Sequence, residues 1–169
     1  MIDASRSSAR RAGPAAASPA VPAALPRGCT SFKLRQLSRR VSQHYDRIVG
    51  AAGIKTTQYS LLSHLERLGP VRPGELARAM AMDASTLTRN LKPLVDLGWA
   101  ELGPGSDGRS RVVAATPAGR AKRVEAGRLW KRAQLEINAR LGTAKVAHLH
   151  DLLAECLELL ELEPGERDD

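Results

Sequence analysis

From Thr30 to Val49 the positions Leu34, Leu37, Val41, His44 and Ile48 recur every three or four residues, the spacing of one helical face. Gly50 and Gly53 close this first helix. A second begins at Thr56 or Thr57, either of which supplies a capping hydroxyl, and carries Leu61, Leu62, Leu65 and Leu68 to a stop at Gly69-Pro70. Pro73 suits the first position of a short third helix with Leu76, Ala77 and Met80 facing inward. Asp83 caps a fourth helix, which Gly98 ends in the left-handed conformation. The run "WAELGPGSDGRSRVVAA" then reads as a strand, a Gly/Pro/Ser-rich turn and a β-branched return strand. Thr116-Pro117 opens a fifth helix to about Leu141. Thr143 caps a sixth, whose Val146, Leu149, Leu153, Cys156, Leu157 and Leu160 form an apolar stripe.

Two short helices joined by a tight turn and followed by a hairpin make the order of a winged helix-turn-helix, whose second helix enters a DNA major groove. The long flanking helices present more apolar stripe than a compact wing unit can cover, so a second copy of the chain is expected to bury it. The predicted fold is therefore mainly α with a small β-hairpin wing: a winged helix-turn-helix flanked by N- and C-terminal dimerisation helices. Residues 1–27 are predicted to be a disordered Ala/Pro/Arg-rich tail and 28–55 the N-terminal dimerisation helix. The DNA-binding unit is placed at 56–116, the C-terminal dimerisation helices at 117–163 and an acidic tail at 164–169.

Composition agrees with helices. Of 169 residues 43% are apolar but only 3% aromatic, so a core must rest on Leu, Val, Ile and Ala. Charge is uneven: residues 1–27, 28–69 and 70–123 carry net +3, +5 and +4, whereas 124–169 carry −4. The charge suggests a polyanionic partner for the basic part without deciding it against a plain basic surface, and the helix-turn-helix order makes double-stranded DNA the expected one. The two cysteines, Cys29 and Cys156, lie far apart and outside any metal-ligand spacing, so neither a disulfide framework nor a metal site is expected. No run reaches 18 apolar residues and no secretory h-region is present, which predicts a cytoplasmic protein with no membrane contact. There is no P-loop, G-x-S-x-G or H-E-x-x-H, so catalysis and a cofactor are not expected.

On the fourth helix, Leu91, Leu94 and Val95 fall within roughly 80° of Leu87 at 100° per residue, which defines the inward face. Ser85, Arg89 and Lys92 lie opposite, Thr86 beside them, and Thr88 and Asn90 on the flanks. Short hydroxyl residues let a backbone approach DNA and bond phosphates or base edges, and an arginine can bridge guanine O6 and N7. Ser85 and Thr86 also suit plain N-terminal capping. Pro93 predicts a bend after the reading residues. In the hairpin tip, Arg109 and Arg111 are placed to follow a groove or pair with phosphates, with Asp107 bracing one of them.

These stretches carry a resemblance. The segment from Gly28 to about Leu162 resembles the MarR family of bacterial winged helix-turn-helix regulators. "TTQYSLLSHL" is similar to its second helix, "GELARAMAMDASTLTRNLKPLVDLGW" to its helix-turn-helix and "DGRSRVVAATPAGR" to its wing, with Ala115 where the family usually has leucine. The resemblance implies a homodimer on a pseudo-palindromic operator, repressing until a small, often phenolic, ligand or an oxidant releases it. It also implies an effector cleft lined by the first, second and fifth helices. Arg40 with His44 one turn on, and Tyr59 of the second helix, are the candidate contacts for an aromatic acid. His44 also suits an ordinary core position. Cys29 resembles in place the sensing thiol of the organic-hydroperoxide branch, although "KTTQY" lacks that branch's inner tyrosine. Two alternatives thus stand beside the ligand-released repressor: a thiol-based repressor of the same fold, and a winged-helix architectural protein.

Overall fold

The computed structural model describes residues 27–105 and 108–160. The tails expected at 1–27 (Arg27 apart) and 164–169, and Asp107 of the hairpin tip, lie outside the described residues. Six α-helices and one hairpin follow in the predicted order: α1 Thr30–Val49, α2 Thr56–Leu68, α3 Pro73–Ala79, α4 Ala84–Asp96, β1 Ala100–Pro104, β2 Arg111–Ala115, α5 Pro117–Leu141 and α6 Thr143–Leu159. None of these helices is long and apolar enough to cross a membrane.

The element ends show which local signals act. A single 3-10 turn, Gly50–Ala52, follows α1 and ends on Gly53 at φ 68°. Asp83 caps α4 by accepting the Thr86 N–H, and Thr116 caps α5 by accepting the Gly119 N–H. Two expected caps are corrected. Neither Thr56 nor Thr57 caps α2: Lys55 stands at the cap, and its N–H donates to the Gln58 side chain at 2.8 Å. Thr56 is already helical, and its N–H donates to Asp46 Oδ1 of α1 at 2.8 Å. Likewise Thr143 is the first helical residue of α6, behind Gly142 at φ 84°, and makes no capping bond. A threonine whose own backbone is helical sits one position too late to accept from the first turn. Pro93 lies within α4, which runs on to Asp96; its missing N–H falls on the exposed side.

The core sits where α2, α3, α4 and the hairpin meet the first part of α5. Leu61, Leu62, Leu65, Leu76, Leu87, Leu94 and Val113 are all buried there. β1 and β2 pair antiparallel from Ala100↔Ala115 to Pro104↔Arg111. Val71, in the loop before α3, adds a third edge: its N–H and C=O bond Val113 at 3.1 and 2.9 Å. A smaller cluster joins α1 to α5 through Tyr45, Ile48 and Ala133, the alanine letting the two helices approach.

The first turn of α5 is pressed on the link between α4 and β1. A Cβ on Gly119 would stand 1.9 Å from the carbonyl oxygen of Trp99. Thr116 Oγ1 donates to the Gly98 carbonyl at 2.6 Å, and the Thr116 N–H to that of Trp99 at 3.1 Å. Lys122 completes the junction, its ammonium donating to the Ala52 carbonyl at 3.0 Å and lying 5.5 Å from the Trp99 ring centre.

Candidate nucleic-acid interface

Helix α4 is divided lengthwise. Leu87, Leu91 and Leu94 are buried, while Ser85, Thr88, Arg89 and Lys92 are exposed. Thr86 and Asn90 are half-buried. The amphipathic spacing thus turns the polar residues away from the core, and the Asp83 cap fixes where the helix starts.

At that start the side chains form one network. Asp83 accepts three hydrogen bonds, from the hydroxyls of Ser85 and Thr86 and from the Thr86 N–H, each at 2.7 Å. Those bonds, the Ser85 hydroxyl first, then the Thr86 hydroxyl and N–H, hold its carboxyl far below the usual carboxylate range. Arg89 folds back over the same group: Nε donates to the Ser85 carbonyl at 3.3 Å and Nη2 to Thr86 Oγ1 at 3.3 Å. The other candidates are held within the helix or its turn. Thr88 donates to the Ala84 carbonyl at 2.8 Å, and Asn90 Nδ2 faces Met82 Sδ at 4.0 Å. Lys92 pairs with Asp96 at 2.6 Å; both are exposed, so the pair contributes at most about 1 kcal/mol and yields easily to a phosphate.

In the wing, Arg111 is exposed at the start of β2, and Arg109 is exposed nearer the tip. The expected Asp107 brace lies outside the described residues. The basic candidates thus stand on two elements, α4 and the hairpin, that share one packed core.

The proposed effector residues do not form one site. Arg40 is exposed and lines an open cleft of about 330 Å3 with Phe32, Gln36, Arg39 and Gln43. His44, one turn on, is buried against α5 instead, its Nε2 donating to the Ala133 carbonyl at 3.2 Å, with Glu136 at 3.7 Å. Tyr59 stacks on Trp130 at 5.9 Å, and Trp130 lies 6.1 Å from Tyr45, so three rings pack where α1, α2 and α5 meet. Burial also pushes the Tyr45 hydroxyl above its ordinary pKa. Cys29 is exposed at the cap position of α1.

In the sequence Asp83 reads only as a cap, and its hold on both hydroxyls goes unnoticed; the run Asp83-Ala84-Ser85-Thr86 is the available signal. Gly119 and Lys122 carry no such local signal, because their roles arise from packing across the fold. Arg123 Nε, Ser63 Oγ and Thr56 Oγ1 are buried with no partner among the described residues.

A family model described as the MarR family matches residues 52–110, from the 3-10 turn after α1 to the wing. The multiple antibiotic resistance protein MarR of Salmonella typhimurium is 31% identical over 98 residues, 57% of this chain and 66% of that protein. An uncharacterised HTH-type transcriptional regulator of Bacillus subtilis, YwoH, is 27% identical over 84 residues, 50% of this chain and 61% of its own length. The chain thus spans less than two thirds of these curated relatives. The solved structure of the M. tuberculosis transcriptional regulator MosR in complex with DNA is matched over 80% of this chain and all of that one, at 30% identity and a TM-score of 0.67. With its winged helix-turn-helix superposing on that regulator from end to end, the chain belongs to the MarR family.

Proposed function

We propose that the protein is a sequence-specific DNA-binding transcription regulator that works as a homodimer, with α4 in the major groove and the hairpin along the neighbouring backbone. The observation that carries this is the division of α4, with hydroxyls and arginine exposed opposite three buried leucines. The net positive charge of residues 28–123 and the DNA bound by the similar regulator MosR support it. Two copies of α4 related by a twofold axis suit a pseudo-palindromic operator. Arg89→Ala is expected to weaken specific binding by about 1–3 kcal/mol and to relax base preference at one position per half-site. Fluorescence anisotropy on a selected operator and on random duplex checks this. Equal weakening on both would reduce Arg89 to a phosphate ligand.

The same proposal extends to repression relieved by a small aromatic acid. Arg39 and Arg40 beside Phe32 offer a carboxylate its cation and a ring its stacking face. Titration of the operator complex with aromatic acids is expected to release wild type and to spare Arg40→Ala. The exposure of Cys29 supports a thiol sensor as the second reading. In that case cumene hydroperoxide releases wild type but not Cys29→Ser.

A further inference from the structure

Ser85 and Thr86 each have one hydroxyl proton, and both protons point at the same group. Ser85 Oγ lies 2.7 Å from Asp83 Oδ1, and Thr86 Oγ1 lies 2.7 Å from Asp83 Oδ2. An ionised carboxylate only accepts, so each hydroxyl must donate and presents lone pairs outward. Arg89 marks the same polarity from the other side. Its Nη2 donates to Thr86 Oγ1 at 3.3 Å and reaches Ser85 Oγ at 3.5 Å. A guanidinium has no acceptor, so both hydroxyls accept on their outer face.

We infer that Asp83 is a positioning residue that sets base preference: by holding both hydroxyl protons it makes Ser85 and Thr86 acceptors, which read the amino groups of adenine or cytosine. This rests on the DNA-binding function proposed above. Phosphate oxygens and guanine N7 and O6 are acceptors, so two outward lone pairs repel them. Adenine N6 and cytosine N4 are the donors of the major groove. When Arg89 swings out to DNA, the two oxygens it leaves need N–H donors in its place, because an acceptor unpaired in a dry interface is costly. Every base pair carries one such amino group, on one strand only, so accepting it selects the strand on which adenine or cytosine stands. Arg89 and its hydroxyl neighbours thereby divide the work, the cation taking acceptors and the hydroxyls taking donors.

The test uses the full chain and a randomised duplex library. Selected duplexes are remade with single adenines replaced by purine and single cytosines by 2-pyrimidinone, which lack only the amino group. Wild type is expected to lose about two- to tenfold in affinity at one or two positions per half-site. In Ser85→Ala and Thr86→Val that loss disappears position by position. In Asp83→Asn the amide carbonyl still caps the Thr86 N–H, but its NH2 donates to one hydroxyl and turns that proton outward. The amino-group penalty then falls under about twofold at that position, in a protein that remains folded at neutral pH. Removing the Asp83 charge strengthens binding to all duplexes alike, so the ratio between amino and amino-free duplexes isolates the polarity effect. Wild-type affinity indifferent to every amino deletion overturns the inference, as does an unaltered ratio in folded Asp83→Asn. If the library yields no enriched sequence, the DNA-binding proposal itself fails and this inference with it.

Discussion

In the unit built from α2, α3, α4 and the hairpin, Leu61, Leu62, Leu65, Leu76, Leu87 and Leu94 are at most 1% exposed, whereas Leu157 and Leu159 of α6 and Leu160 just past its end are 69–77% exposed. Leu157 and Leu160 follow helical spacing just as the buried leucines do. The difference lies in what crosses them: α2 to α4 pack on one another and on the hairpin, while Val146 alone of α6 is buried. The first half of α1 is in the same state, with Phe32, Leu34 and Leu37 exposed. Since burying a leucine side chain contributes about 1.5–3 kcal/mol, these two helices keep a large driving force for association that the winged unit has already used in folding. A regular apolar stripe therefore states that something covers it, and the same chain or another copy can be that cover.

The comparison is broken most directly at its buried end. Leu94→Ala is expected to lower the unfolding free energy by about 2–5 kcal/mol, because the cavity would be enclosed on all sides. Leu159→Ala, at a position open to solvent in the single chain, should stay within about 0.5 kcal/mol when unfolding of the monomer is followed by urea denaturation. Similar destabilisation at both would erase the distinction between the two regions.

The exposed end is tested by Leu157→Asp. A charge in the middle of the free stripe should leave a folded winged unit but shift sedimentation to the monomer. Operator affinity should then fall about 100-fold or more, since the second half-site is no longer tethered to the first. A dimer that survives the substitution places the interface elsewhere.

Smaller effects sharpen the picture within the winged unit. Arg111→Ala is expected to reduce the salt slope of binding by about 0.9 for each phosphate the side chain no longer neutralises, and by twice that in a dimer, while thermal stability stays at the wild-type value. Anisotropy at two or three salt concentrations reads the slope. The smallest effect belongs to Asp83. Its folded pKa is depressed, so its stabilising contribution is present above the unfolded value of 3.8 and is lost as pH falls below it toward the lower folded pKa. The gap in thermal midpoint between wild type and Asp83→Asn should therefore be constant near neutral pH and close in acid below that value. A gap that persists unchanged to the lowest pH would mean that the carboxylate charge is not what holds the network.

Much of this architecture is legible in the one-dimensional pattern. The order of elements, the two-sided character of α4, the Asp83 and Thr116 caps and the left-handed Gly98 are encoded by residues within a few positions of one another, and helical spacing and capping act over that range. The exposed face of Ser85, Thr88, Arg89 and Lys92 follows from the same arithmetic. Other features depend on crossings between distant segments, which only the tertiary structure decides. His44, in a stripe that offers both a core and a ligand reading, is engaged by the Ala133 carbonyl 89 residues away. Gly119 is dictated by the Trp99 carbonyl on which α5 lands, and Val71 becomes a strand residue only because Val113 lies beside it. The polarity of the Ser85 and Thr86 hydroxyls belongs to the same class, since residue type supplies a hydroxyl that can either donate or accept, and only the placed Asp83 carboxylate and Arg89 guanidinium settle which it does.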